Sequence, residues 1–352
     1  MAPQINTKQI IESLAYTVSN HSAAFALGRD AAPEIDGIHM ISCGSGYDGM
    51  EAIQYLSQPI TKTPVQAYYS SEYITNTPAT MGKETLVVLV SKKGTTAETV
   101  KVAKVLKGKV YKIVCITKNT ASEFATLIDE VYLLGETEET FVAIYMLLLA
   151  IVGGMWEAKV GWKLGQKLLS SLKAFPVDFA DAAVHDDNRA KSDAERLQGV
   201  EHLDLIGSGT GMINANVIGP CILTEAHKIP TQPIRAGKVA HSMMEVFKQQ
   251  PVLLLVHTED NDRPLTKGLE EIFKQEGLEN FLIYDTQEHE MPGVDKEIRP
   301  FLGAFVNQAF MKRVVAYLGE MNGTDTKHRN YMGRIKYWEA VERVASAMGI
   351  SF

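Results

Sequence analysis

Residues 86–106, LVVLVSKKGTTAETVKVAKVL, contain an apolar run, a polar loop and a helical pattern in direct succession. The apolar run is typical of a buried strand, and Val102, Val105 and Leu106 repeat at helical spacing. The loop between them holds two lysines, a glycine and two threonines. Backbone N–H groups at a strand-to-helix junction, with hydroxyl and ammonium groups beside them, suit a bound anion.

The same succession of strand, loop and helix recurs along the chain. Two glycine loops, CGSG at 43–46 and GSGTG at 207–211, lie at equivalent places in two such series. Nearly continuous apolar strands that alternate with helices indicate parallel sheets covered on both faces. We therefore predict an α/β protein built as a tandem repeat of one domain. The predicted divisions are an N-terminal helical segment at 1–34, a first domain at 35–165, and a second domain at 190–340 with a tail to 352.

Composition excludes several classes of protein. The chain has 352 residues, of which 45% are hydrophobic and 22% charged, and its net charge is -7. This charge argues against a general nucleic-acid binder. The N-terminus lacks the pattern of a signal peptide, and the longest apolar stretch, 141–156, is shorter than a membrane span, so we expect a buried helix there and no membrane partner. Three isolated cysteines suggest reduced thiols in a cytoplasmic protein.

Two loops of the first half contain the donors that a phosphate monoester needs. One loop contributes Ser45 and Gly46. The other contributes five candidates, namely Ser91, Lys93, Gly94, Thr95 and Thr96. The alternative is that the second loop is only a solvated turn that caps its helix. Neither loop has the P-loop pattern or the GxGxxG register of a dinucleotide site, and no metal-ligand spacing occurs, so we expect no metal and no other cofactor.

The segments CGSGYDGMEA and SKKGTTAET resemble the two phosphate-binding signatures of the sugar isomerase (SIS) domain family. YYSSEY at 68–73 resembles the family's Ser-Glu-aromatic segment, which adds Ser71 and Glu72 as weaker substrate-binding candidates. The resemblance implies two tandem flavodoxin-like SIS domains that hold a hexose phosphate. This arrangement occurs in the isomerase half of glucosamine-6-phosphate synthase and in fructoselysine-6-phosphate deglycases. The chain begins MAPQ, without the synthase's cysteine nucleophile or glutaminase domain, so we do not expect ammonia production from glutamine.

Glu225 and His241 stand sixteen residues apart, at the spacing of the family's catalytic glutamate and histidine. The resemblance implies that Glu225 moves a proton between C1 and C2 of the open-chain sugar and that His241 is the acid. From the residues alone, Glu225 could equally be a solvated helix end and His241 a core histidine. Lys238 stands where the family usually has glutamate, and Ile222 where the synthase has lysine.

The C-terminal segment KHRNYMGRIKYW, 327–338, resembles the segment that closes the deglycases. Arg329 and Tyr331 are therefore expected to border the active site, with a purely structural tail as the alternative.

The function that this resemblance favours is deglycation of an amino-sugar (Amadori product) 6-phosphate, which releases hexose 6-phosphate and an amine or amino acid. The alternatives are a phosphosugar aldose–ketose isomerase, an activity of the glucosamine-6-phosphate deaminase type, and a non-catalytic phosphosugar sensor. The resemblance further implies a homodimer in which Glu225 of one subunit and His241 of the other share a site.

Overall fold

The computed structural model describes residues 4–119 and 123–352. The chain divides into two compact units. The first unit comprises Ser13–Leu169 with Arg329–Phe352, and the second comprises Ser170–His328 with the N-terminal stretch to Glu12.

Each unit is built on a parallel sheet. The first sheet has five strands in the order β2-β1-β3-β4-β5. Its strands are β1 Gly37–Ser42, β2 Val65–Tyr69, β3 Thr85–Val90, β4 Lys112–Thr117 and β5 Glu130–Leu133. The second sheet has four strands in the order β7-β6-β8-β9. Its strands are β6 Leu203–Gly207, β7 Thr231–Arg235, β8 Leu253–His257 and β9 Phe281–Asp285. The first order is that of a flavodoxin-like sheet, and the second repeats its first four places, which confirms the predicted α/β class and the tandem repeat.

Helices flank both sheets. Those that precede the second sheet are α1 Thr7–Ala31, α2 Ser45–Ser57, α3 Ser70–Thr75, α4 Ala97–Leu106, α5 Thr140–Val160, α6 Gly165–Ala182 and α7 Asp187–Leu197. Those that follow are α8 Met212–Asn216, α9 Glu225–His227, α10 Ala236–Val239, α11 Arg263–Gln275, α12 Arg299–Asn322 and α13 Tyr337–Ala347. A π-helix, Val217–Thr224, joins α8 to α9. Short 3₁₀ turns occur at Ala32–Glu34, Glu123–Leu127, Gly209–Gly211, Met243–Gln249 and Thr286–Glu288.

Helix α5 is the apolar stretch that the sequence singles out, and the structure confirms that it is buried. Among the described residues it is the one helix long and apolar enough to cross a membrane, yet 83% of its most apolar window is buried. It crosses α1 closely, which requires glycine at Gly28 and Gly154. A Cβ added at Gly28 would lie 1.7 Å from the Ile151 carbonyl oxygen, and one added at Gly154 would lie 1.9 Å from the Phe25 carbonyl oxygen. From Ser13 onward, the N-terminal helix is thus part of the first unit's core.

The C-terminal tail packs on the first unit, whereas the predicted division placed it with the second domain. Trp338 of α13 is 5% exposed and belongs to the same hydrophobic cluster as Val102 and Leu106 of α4. Lys101 and Glu342 form an ion pair at 3.4 Å. These contacts are tertiary, so the order of the chain does not reveal them.

Candidate functional site

Three loops of the first unit meet at the carboxyl edge of its sheet. Strand β1 lies between β2 and β3, with Ser42 opposite Tyr69 and Ile41 opposite Leu89. The loops after these strands lead into α2, α3 and α4. Because the strand order reverses direction between β1 and β3, a crevice opens there, and this is where open α/β sheets bind their ligands. The structure thus brings the two predicted phosphate loops and the Ser71–Glu72 segment to one edge.

The first loop is shaped by two glycines. Gly44 has a φ of 60°, and α2 begins at the next residue, the half-buried Ser45. Gly46 is buried, and a Cβ added there would lie 2.3 Å from the Ser42 hydroxyl. Ser42 in turn donates to the Val90 carbonyl at 3.1 Å, which ties this loop to the end of β3. Only glycine at position 46 lets the start of α2 approach the sheet this closely.

The second loop presents hydroxyl groups that do not cap its helix. Ser91 Oγ lies 3.0 Å from Thr96 Oγ1, and Gly94, with a φ of 66°, donates its N–H to the Ser91 carbonyl. Thr96 is the N-cap of α4, but its side chain makes no capping hydrogen bond. Lys93 and Thr95 are exposed, whereas Ser91 is only 3% exposed. The geometry therefore disfavours the interpretation of this loop as a simple helix cap.

A small polar cluster beside these loops was missed by the sequence analysis. Ser70, at the start of α3, lies with its hydroxyl 3.0 Å from that of Thr99, and the Cys43 sulfur lies 4.0 Å from the same hydroxyl. Burial raises the pKa of the Cys43 thiol, so it stays protonated near neutral pH. These residues come from three separate elements, and no local motif joins them.

Side chains of α2 and α3 lie next to the crevice. Tyr47 stacks on Tyr69 with ring centroids 4.0 Å apart. Asp48, in the first turn of α2, is buried, and this burial raises the pKa of its carboxyl group to about 7. On α3, Ser71 is half-buried and Glu72 is exposed.

The second unit has the same loop design but fills it with its own carboxylate. Gly209, with a φ of 53°, corresponds to Gly44, and Thr210 corresponds to Ser45. The Thr210 N–H donates to Asp260 Oδ2 at 2.7 Å, the Thr210 hydroxyl donates to the same oxygen, and the Thr258 hydroxyl donates to it at 3.0 Å.

The sheet register relates the loop after β8 to the loop after β3. Ile206 pairs with Leu255 as Ile41 pairs with Leu89, and the helix that follows begins eight residues later in both units, at Arg263 and at Ala97. By this register Asp260 corresponds to Gly94, so the second unit has a carboxylate where the first has no side chain.

Glu225 is held at the end of a distorted helix in the second unit. The π-helix before it contains Pro220, which lacks an N–H and cannot continue the α-helical pattern. Such widened turns are frequent at functional sites. Lys228 ends the helix with a φ of 61°, and its ammonium group donates to the carbonyls of Glu225 and of His328. The main chain at the half-buried Glu225 is therefore well fixed.

A cavity of about 540 Å³ lies beside this helix end, lined by Ile222, Ala226 and His227 and by the last turns of α12. Ala226 and His227 directly follow Glu225 in the chain, but Glu225 itself does not line the cavity.

His241 follows α10 and is exposed, with its N–H donated to the Lys238 carbonyl at 3.2 Å. It is therefore not a core histidine. Lys238 is also exposed. Arg329 and Tyr331 lie in an irregular segment before α13, where Tyr331 is 71% exposed. The role of both residues stays a prediction.

Comparison with known proteins agrees with this geometry. The SIS domain model matches residues 37–152, which include both phosphate loops. The agropine synthesis conjugase of Rhizobium rhizogenes is 28% identical over 322 residues, covering 88% of this chain and 90% of that protein. The fructosamine deglycase FrlB of Bacillus subtilis is 24% identical over 310 residues, covering 86% and 93%. Glutamine–fructose-6-phosphate aminotransferases are among the further relatives.

Solved structures with a similar fold come from the same group of proteins. The crystal structure of a putative phosphosugar isomerase from Bacillus subtilis superposes with a TM-score of 0.80 at 21% identity, covering 94% of this chain and all of that one. Residues 37–152 therefore match the SIS domain, and the chain as a whole is similar to a fructosamine deglycase and has the fold of a phosphosugar isomerase.

Proposed function

We propose that the protein is a deglycase of Amadori-product 6-phosphates, which takes up water and releases hexose 6-phosphate and an amine or amino acid. The first unit binds the phosphate, with Ser45 and Gly46 on one side of the crevice and residues 91–96 on the other. The Lys93 ammonium group adds a positive charge to this loop.

The observation that carries the phosphate assignment is the filled loop of the second unit. There, the N–H and hydroxyl of Thr210 and the hydroxyl of Thr258 all donate to one carboxylate oxygen. The counterparts of the Thr210 donors in the first unit are the N–H and hydroxyl of Ser45. A set of donors that holds an internal anion in one unit is suited to an external anion in the other, where Gly94 stands in the place of Asp260 and has no side chain.

The reaction follows from the roles of Glu225 and His241. In the open-chain ketosamine, Glu225 removes a proton from C1 while His241 protonates the oxygen on C2, which gives an enaminol. Return of the proton from Glu225 to C2 leaves an imine at C1. Water then adds to this imine, and the C1–N bond breaks with the nitrogen leaving as the amine. No electrons are transferred, so the step needs no redox cofactor.

The leaving group is the least determined part of the substrate. The cavity beside Ile222, Ala226 and His227 offers it room on the helix that carries Glu225. The exposed Lys238 favours a leaving group that carries a carboxylate over one that carries a positive charge. We further propose a homodimer in which different subunits contribute Glu225 and His241 to one site, and a cytoplasmic location.

The test is a panel of 6-phosphorylated fructosamines that differ in the amine, with release of glucose 6-phosphate followed by a coupled dehydrogenase. Unphosphorylated fructosamines are the matched controls. We expect turnover of at least one phosphorylated compound and a large preference for it over its unphosphorylated counterpart. Interconversion of free aldose and ketose phosphates without amine release would instead identify an isomerase. Saturable binding with no product over hours would identify a sensor.

A further inference from the structure

The second unit's glycine loop contains an anion that belongs to the chain itself. We propose that Asp260 is a built-in substitute for phosphate in this loop, and that by holding the loop it positions Glu225. The second part rests on the role proposed for Glu225, whereas the first part is independent of any activity.

Asp260 is bound as a ligand would be. It is 8% exposed, and its carboxylate accepts four hydrogen bonds. Three of them, from Thr210 and Thr258, meet at Oδ2, and the fourth comes from the Asp262 N–H to Oδ1 at 2.9 Å. A buried carboxylate is stable only where such donors replace its water. A Cβ added at Gly209 would lie 2.7 Å from this carboxylate, so the glycine lets the main chain close around it.

The carboxylate does more than shape the turn. The glycine loop of the first unit has the same positive φ at Gly44 but no carboxylate, because the sheet register places Gly94 where the second unit has Asp260. A turn that needed a carboxylate for its shape would need one in both units. The residue at this position therefore separates a loop open to an external anion from a loop that contains its own.

The loop is also the origin of the helix that ends at Glu225. Glu225 lies thirteen positions after Met212, which corresponds to at most about 20 Å of helix at the α-helical rise. A tilt of about 3° at the loop then moves Glu225 by about 1 Å, and a displacement of this size at a reacting group costs up to about 100-fold in rate. Asp260 touches neither substrate nor reacting atoms in this account and is a positioning residue.

The first experiment measures inorganic phosphate binding by calorimetry in the full chain with Ser91→Ala and Thr96→Val, so that the first unit's loop is weakened. We expect that adding Asp260→Ala creates one new phosphate site per chain and that phosphate raises the melting temperature of this variant. A variant of another buried carboxylate in the second unit, Asp204→Asn, is the control and should gain no site. If Asp260→Ala gains no phosphate site, the carboxylate is not a substitute for phosphate.

A variant that does not fold alone still tests the idea, because phosphate should restore its native circular dichroism. Failure of phosphate to restore an unfolded Asp260→Ala variant would overturn the proposal. This outcome is distinct from failure of the proposed function, which is judged by turnover of the unaltered protein.

The second experiment measures kcat and KM of Asp260→Asn with the best substrate. We expect kcat to fall roughly 10- to 100-fold while KM changes little, because the first unit's phosphate loop is untouched. Added phosphate should restore part of kcat in Asp260→Ala at concentrations below those that compete with substrate. A change confined to KM, or a kcat equal to that of the unaltered protein, would show that Asp260 does not position Glu225.

Discussion

The Ser91 hydroxyl is the donor whose removal tests the phosphate loop most cleanly. In the structure it lies 3.0 Å from Thr96 Oγ1 and is almost fully buried. Its backbone N–H is bonded to the Ile116 carbonyl, so replacement by alanine leaves the main chain of the loop in place. A hydrogen bond to a charged phosphate contributes about 1.5–3 kcal/mol. The Ser91→Ala variant should therefore have a KM for its sugar phosphate that is roughly 10- to 100-fold higher.

The same change should cost little stability. It removes one hydrogen bond between neutral hydroxyls, which is about 1 kcal/mol, and lowers the melting temperature by about 2–4 °C. Steady-state kinetics and thermal denaturation on the same preparation separate the two effects.

A matched control is Ser57→Ala. The Ser57 hydroxyl is equally buried and donates to the Ile53 carbonyl at 2.7 Å within α2, away from both loops. It should lose similar stability with an unchanged KM. An unchanged KM in Ser91→Ala, or an equal rise in both variants, would refute the assignment of this loop to phosphate.

Three further predictions concern the chemistry and the pH dependence. Glu225→Gln and His241→Asn should each be nearly inactive. When the two variants are refolded together, about a quarter of the activity should return, because half of the dimers are heterodimers with one intact site of two. If heterodimers form and no activity returns, both residues belong to the site of one subunit. Lys238→Glu should shift the substrate ranking away from leaving groups that carry a carboxylate, and an unchanged ranking in the fructosamine panel would rule out this contact. Burial raises the pKa of the Asp48 carboxyl group to about 7, against an ordinary 3.8, so this carboxyl group holds its proton more tightly in the folded than in the unfolded protein. The free energy of unfolding should therefore fall as pH rises from about 4 to about 7. Asp48→Asn should remove this fall, so that its free energy of unfolding at pH 8 is on the order of 3 kcal/mol higher than that of the unaltered protein. An equal difference between the two proteins at about pH 4 and at pH 8 would contradict this prediction.

The fold was predictable because its signals are local. Strands β3 and β8 are apolar runs, and the glycine loops at 43–46 and 207–211 mark the strand-to-helix junctions on which a parallel sheet depends. Strand β7, TQPIR, carries no such signal. The two candidate phosphate loops could be located in the sequence because glycine and hydroxyl residues cluster within a few positions of a strand end, and their role stays a prediction.

The parts that were missed depend on contacts between distant segments. Ser70 and Thr99 meet only because β2 and β3 flank β1, and Trp338 reaches α4 from the other end of the chain. The acidic run after β8 was visible in the sequence, but its meaning appears only when Asp260 is found inside the loop that begins at Gly207. Aspartate in one repeat and glycine in the other, at one loop position, is the signal that could have revealed it.

A crystal structure with glucose 6-phosphate tests whether the first unit's crevice binds the phosphate of the sugar. We expect phosphate oxygens within hydrogen-bonding distance of the Ser45 N–H and the Ser91 hydroxyl, with the Asp260 carboxylate still bound to Thr210. Phosphate bound at the second unit's loop with Asp260 displaced, or bound away from both loops, would contradict it.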